Sequence, residues 1–209
     1  MMTSTNSNAS KNIAVLLLAA GGSSRLGTPK QLLPYGDQTL IRYMVKMAVN
    51  SKANPVMVVL GAHADDIVKK IENNKAKVVI NNEWQEGMAS SIRTGINYLM
   101  QEQPTAQGAI LMVCDQPFVT SQLLNDLIDA HQQTGKPIIT CSYANTFGPP
   151  TLFHKSIFPD LLQLKGDVGA RSILQQHVKD VESIEFPRGS RDIDTKADYE
   201  EISKDTLAI

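Results

Sequence analysis

The sequence predicts a doubly wound α/β fold: a mostly parallel sheet with helices on both faces. Two observations carry this. Short, continuous apolar runs alternate with segments of helical period from residue 13 to residue 141, and continuous apolar runs suit strands covered on both sides. The intervening segments are long enough for right-handed helical crossovers between parallel strands.

The elements follow in order. Ile13 to Leu18 is the first buried strand. Leu40, Ile41, Met44, Val45 and Ala48 keep the spacing of one helix face. Val56 to Leu60 is a second buried strand, closed by Gly61, and His63 to Asn73 reads as a surface helix. Lys77 to Ile80 is a third strand. Met88, Ile92, Ile96 and Leu99 predict a helix over Met88 to Met100. Ala109 to Val113, a helix marked by Leu123, Leu124, Leu127 and Ile128, and the strand Pro137 to Cys141 complete the alternation. Beyond Cys141 the pattern loosens. Tyr143 to Phe153 and Val181 to Asp194 are expected as irregular strands and loops over the rim of the sheet.

Residues Met1 to Asn12 are rich in Ser, Thr and Asn without an apolar period, so they read as a disordered tail. Residues 13–209 read as one domain, since the length suits a single sizeable core and neither a linker nor a repeat interrupts it. With 42% hydrophobic and 20% charged residues, the composition is that of a soluble globular protein. A net charge of -1 lacks the basic excess of a nucleic-acid binder. No apolar run is long enough to span a bilayer. Lys11 followed by Ile13 to Ala20 imitates a signal peptide, but the run is short and reads better as a strand feeding a loop. Cys114 and Cys141 lie in apolar runs without metal-site spacing, as reduced, buried thiols of a cytoplasmic protein would.

Open α/β sheets bind ligands beyond the carboxyl ends of their strands. The first such end carries LAAGGSSRLGTPK, residues 18–30. From Leu18 through Ala19, Ala20, Gly21, Gly22 and Ser23, small residues let backbone N–H groups approach an anion, while Arg25 and Lys30 supply positive charge. A triphosphate needs this combination. It is neither a Walker A loop, because Thr28-Pro29-Lys30 stands where Lys-Ser/Thr would follow Gly27, nor a GxGxxG dinucleotide fingerprint. Asp115, in VCDQPF after the fourth strand, faces the same rim, and two hard oxygen ligands hold Mg²⁺ when phosphates and water complete the shell. Asp194, in RDIDTK, is the second candidate ligand; Asp192 is its rival, and capping of the last helix is the alternative role for Asp194. In NNEWQEGMASS, residues 81–91, Gly87 permits close backbone approach and Ser90 or Ser91 offers a hydroxyl to ribose or base.

Residues 18–30 resemble the LAAGxSxRxGxxK signature of the MobA-like NTP transferases, and VCDQPF resembles the family motif whose Asp ligates magnesium. The resemblance covers nearly the whole chain after the tail. It implies a Rossmann-like nucleotidyltransferase fold, with Lys30 and Arg25 catalytic, residues 18–23 with Asn82, Gly87, Ser90 and Ser91 binding nucleotide, and Asp115 with Asp194 on Mg²⁺. Two late segments, TFGPPTLF (residues 146–153) and KGDVGAR (residues 165–171), resemble the branch that cytidylylates molybdopterin. They imply CTP as nucleotide, an acceptor site including Gly148, Pro150, Asp167 and Arg171, and a molybdenum hydroxylase as recipient of the product. One departure stands there: Pro149 occupies the position at which the branch usually has His. Transfer of NMP to a sugar phosphate or to methylerythritol phosphate, GMP transfer to the molybdenum cofactor, and a non-catalytic cofactor chaperone are the alternatives.

Overall fold

The computed structural model describes residues 12–71 and 75–206. The expected tail, apart from Asn12, and the end of the helix expected to reach Asn73 lie outside the described residues. Of that helix, Ala64–Val68 (α2) is present.

The central sheet has seven strands. Five were legible in the sequence: Ile13–Leu18 (β1), Val56–Leu60 (β4) and Gly108–Val113 (β6) as buried runs, with Ala76–Ile80 (β5) and Ile138–Tyr143 (β7). The first four of the chain's sheet order are mutually parallel neighbours, β5-β4-β1-β6. Pro34–Tyr35 (β2) and Gln38–Thr39 (β3) form a small separate hairpin. Each side of β1 serves a different core. Ile13, Val15 and Leu17 join one cluster with helices Leu40–Val49 (α1) and Ser121–Thr134 (α4). Ala14, Leu16 and Leu18 join another with Met88–Glu102 (α3). This two-sided burial is why the run contains no polar residue.

The other two strands correct the sequence reading. Tyr143 to Phe153 is not a rim segment. Thr146–His154 (β8) inserts into the sheet between β6 and Ile138–Tyr143 (β7), antiparallel to both. Val181–Glu185 (β9), also expected as rim structure, is the edge strand, parallel to β7. The obstacle to reading β8 was Pro149-Pro150, since proline cannot donate to a sheet ladder. The structure places both prolines where the register shifts, between the pairs Thr140–Thr151 and Cys141–Gly148. Thr140 and Thr151 hydroxyls both donate to the Gly148 carbonyl there, so the irregularity is satisfied by side chains.

Short helices Phe158–Leu161 (α5) and Arg171–Gln176 (α6) follow β8, and Lys196–Thr206 (α7) closes the chain. Among the described residues no helix is long and apolar enough to cross a membrane. The chain leaves β1, builds β4 and β5 to one side, then returns to β6 on the other. The crevice at the carboxyl ends of β1 and β6 is therefore the topological switch point, where this class of sheet binds ligands.

Phe153 locks the inserted strand into the core. It is fully buried, and Gly108, which pairs with the following His154, has no room for a Cβ, which would sit 2.7 Å from the Phe153 carbonyl oxygen. Phe153→Ala is expected to cost about 3–5 kcal/mol of stability, read as a lowered urea midpoint with an unchanged slope.

Candidate active site

The loop after β1 is shaped by a buried side chain that follows it. Gln31, in the turn Lys30–Leu32, donates from Nε2 to the carbonyls of Ala19 (2.8 Å) and Gly21 (3.0 Å). Across a trans peptide the next N–H points opposite to the carbonyl. The Ala20 and Gly22 amides are thereby turned away from Gln31, as an anion-binding concavity requires. Ser23, in the left-handed region at φ 53°, accepts the Lys30 amide at 3.0 Å and draws the two ends of the loop together.

Lys30 then reaches across the switch point. Its ammonium lies 2.9 Å from a carboxylate oxygen of Asp115, at the end of β6, and 2.9 Å from one of Asp194, before α7. The exposed Arg25 binds the other oxygen of Asp194 at 2.9 Å. Four residues chosen from the sequence thus form one charge cluster. Burial works against the Lys30 ammonium, but the two carboxylates outweigh it and raise its pKa. Burial likewise opposes the charge of Asp194, yet Lys30 and Arg25 hold its pKa below the ordinary value.

Asp194 is free for this because its neighbour caps the helix. Thr195 and Asp198 form a reciprocal cap: the Thr195 amide and hydroxyl donate to Asp198 Oδ2, and the Asp198 amide donates to Thr195 Oγ1. The two carboxylate-bearing segments are also pinned directly, by the Ile193 amide on the Asp115 carbonyl at 2.9 Å. Asp192 lies outside the Lys30 cluster. Partial withdrawal from water and the nearby charge of Asp115 push its pKa up to about 6. Among the described residues no group of three or more His, Cys, Asp or Glu is arranged to hold a metal. The Asp115–Asp194 pair by itself offers two hard donors converging on one positive charge.

On one side of this cluster lies the segment 81–91. Gly61 and Gly22 leave room for the Trp84 ring; a Cβ on Gly61 would fall 2.7 Å from its Cγ. Asn82 is exposed, whereas the preceding Asn81 is buried and organises the turn. Its Nδ2 donates to Ser90 Oγ (2.8 Å) and Ser91 Oγ (3.0 Å), so both serine hydroxyls face inward. Gly87, at φ 119°, packs against the backbone of Gly166 and Asp167 with no space for a Cβ. Asp167 sits at the start of α3, accepting the Met88 amide at 3.3 Å, and does not line the pocket that carries Gly148 and Arg171.

A pocket of about 340 Å³ opens between the start of α3 and Asp192. Its floor is apolar, with Leu18, Ile92, Leu111 and Phe153, and its rim carries Tyr143, Gly148, Arg171 and Asp192. Pro150 is buried behind it. Sequence reading had picked Gly148 and Arg171, and it missed Gln31, Asn81, Gln116 and Tyr143. Gln31 and Asn81 were signalled only by position, one directly after Lys30 and one directly after β5. Gln116 is buried beside Asp115 and donates to the Gly189 carbonyl (2.8 Å) and the Tyr143 hydroxyl (3.2 Å).

A glycine-built anion loop, a cation and two carboxylates at the switch point of an α/β sheet define a nucleotide-binding protein of the phosphate-transfer kind. The chain belongs to the MobA-like NTP transferase domain family, whose model matches residues 15–181, and it is accordingly a nucleotidyltransferase. It is 29% identical over 170 residues to nicotine blue oxidoreductase of Paenarthrobacter nicotinovorans, spanning 77% of this chain and 80% of that protein. It is 26% identical over 204 residues to the purine catabolism protein PucB of Bacillus subtilis, spanning 90% and 95%. Among solved structures, an Rv0371c homolog from a Mycobacterium species superposes with TM-score 0.82 at 33% identity, covering 94% of this chain and 98% of that one. Rv0371c of Mycobacterium tuberculosis, solved in complex with manganese, superposes at 0.78 with 28% identity, covering 93% and 99%.

The raised pKa of Asp192 has a consequence for stability. A carboxylate that binds its proton more tightly in the folded chain makes the folded state lose stability as pH rises from about 4 to about 6. Asp192→Asn removes that loss. The variant is expected to be more stable than wild type at pH 7 by about 1 kcal/mol, after discounting for solvent screening, and to gain nothing below pH ~4. Urea unfolding at the two pH values measures it.

Proposed function

We propose that this nucleotidyltransferase passes CMP from CTP to the phosphate of molybdopterin and releases pyrophosphate. The observation that carries the reading is the position of the Lys30–Asp115–Asp194 cluster. The loop after β1 supplies its lysine, and Asp192, two residues before Asp194, lines an apolar-floored pocket that also carries one arginine. The loop suits a triphosphate. The pocket suits a flat, largely apolar molecule carrying a phosphate for Arg171. The preference for CTP and for molybdopterin over a sugar phosphate rests on TFGPPTLF and KGDVGAR.

The residues divide the work as follows. The Ala20 and Gly22 amides and Arg25 hold the β- and γ-phosphates. Lys30 donates to the α-phosphate oxygens as charge builds there in the in-line displacement. The acceptor phosphate oxygen forms the new P–O bond while the bond to pyrophosphate breaks. An acceptor phosphate is already ionised, so no side chain need remove a proton. This explains why no histidine lines the pocket beside the cluster. Asp115 and Asp194 fit a divalent cation, because they already converge on one positive charge in the Lys30 ammonium. Magnesium held by these two carboxylates would supply charge neutralisation for the phosphates. The product would pass to a molybdenum hydroxylase, and the reaction draws on cytoplasmic CTP.

Pyrophosphate release in the presence of molybdopterin and each Mg²⁺–NTP tests this. Release is expected with CTP above GTP, ATP or UTP. Lys30→Ala is expected to lower kcat about 10³-fold while weakening CTP binding far less. Release selective for GTP would reassign the base, and no release by a sample that binds NTP would favour a cofactor chaperone. An unchanged rate in Lys30→Ala would remove Lys30 from the chemistry.

A further inference from the structure

Tyr143 stands at the end of β7, outside every motif the sequence offered, and its ring separates two concavities. One is the 340 Å³ pocket beside the carboxylates; the other, of about 800 Å³, runs towards β9. Its hydroxyl has two partners. It donates to the Pro149 carbonyl at 3.2 Å and accepts from Gln116 Nε2 at 3.2 Å. The same Gln116 nitrogen donates to the Gly189 carbonyl at 2.8 Å. Three separate chain segments therefore meet at one phenol: 115–116, which bears Asp115; 148–150, the wall of the pocket; and 189–194, which bears Asp192 and Asp194.

The ring fixes this geometry by exclusion. A Cβ on Gly148 would lie 3.0 Å from Tyr143 Cζ, and one on Gly189 would lie 2.7 Å from Tyr143 Cε1. Both glycines let the backbone close on the ring. Phe186 packs edge-on at 6.2 Å and holds it from behind. Gln116 is 2% exposed, so its bonds to Tyr143 and Gly189 are made away from water and are costly to break. Among the described residues no hydrogen bond connects Tyr143 to the anion loop or to Lys30.

We propose that Tyr143 is a positioning residue for nucleotidyl transfer: through Gln116 and Pro149 its hydroxyl fastens the acceptor wall to the carboxylate pair, so that the acceptor phosphate meets the nucleotide in line. The proposal rests on the transfer reading above, though not on which acceptor is used. It assigns Tyr143 to acceptor alignment and leaves nucleotide binding to the loop and to Lys30. A small displacement of the attacking atom is enough to lower the rate, because in-line transfer depends on orientation.

Tyr143→Phe tests it, since the ring stays against Gly148 and Gly189 and only the hydroxyl is lost. With saturating Mg²⁺ and CTP and molybdopterin as the varied substrate, kcat is expected to fall about tenfold. Thermal stabilisation by Mg²⁺–CTP should be unchanged, which a merely structural role would not leave intact. A second readout needs no acceptor. Addition of Mg²⁺–CTP is expected to slow amide exchange at residues 146–148 and 151 in the wild type and to leave it unaltered in Tyr143→Phe. Should the wild type not turn over molybdopterin while this exchange response depends on Tyr143, the acceptor reading fails and the positioning role stands. A kcat and an exchange response that both match wild type overturn the proposal. So does an equal loss of CTP affinity in the variant, which would place Tyr143 in the nucleotide site or in general stability.

Discussion

Asp115 and Asp194 are 79 residues apart in the chain and share one ammonium, that of Lys30. Two carboxylates brought this close repel, and partly buried charges are screened less than surface ones. The lysine makes the arrangement tolerable, and its raised pKa shows that the pair repays its burial. Much else in the structure serves to bring those three groups together. Gln31 and Ser23 shape the loop that ends in Lys30, the Ile193 amide fastens residues 193–194 to Asp115, and Thr195 takes over helix capping so that Asp194 remains available.

The sheet explains why these groups meet where they do. β1 and β6 are adjacent and parallel, so the loop after one and the aspartate after the other emerge at the same rim. The inserted antiparallel β8 then brings the Gly148–Pro150 wall to that rim from the opposite direction. The loop after β1 and the Gly148–Pro150 wall are therefore built from different parts of the topology and brought together at the switch point. The contact of Gly87 with Gly166 and Asp167 adds a second junction, at the start of α3.

How much of this the sequence disclosed depends on the range of the interaction. β1, β4 and β6 were legible because strands covered on both faces need unbroken apolar runs, and β5 and β7 because they continue the alternation with helices. Arg25, Lys30 and Asp115 were picked out because they are charges in the segments that follow such runs. β8 and β9 were not. Two prolines disguise β8, whose irregularity is satisfied by Thr140 and Thr151 from neighbouring positions in space. β9 is an exposed edge strand, Val181–Glu185, whose polar residues mimic a loop. Gln116 and Tyr143 escaped for a different reason. A buried amide or phenol declares itself only through partners, and theirs lie at residues 149 and 189. Asp167 was assigned to the acceptor from its motif, and its carboxylate lies instead on the start of α3.

The central claim is that the carboxylate pair is organised to hold a cation and that Lys30 holds its place in the free protein. The most direct measurement is Mn²⁺ binding by paramagnetic resonance, without nucleotide, to wild type, Lys30→Met, and Lys30→Met combined with Asp115→Asn. Removing the ammonium leaves two unneutralised carboxylates. Mn²⁺ is expected to bind Lys30→Met about tenfold more tightly than wild type, and the added Asp115→Asn should abolish the gain. Equal Mn²⁺ affinity in wild type and Lys30→Met would contradict the account.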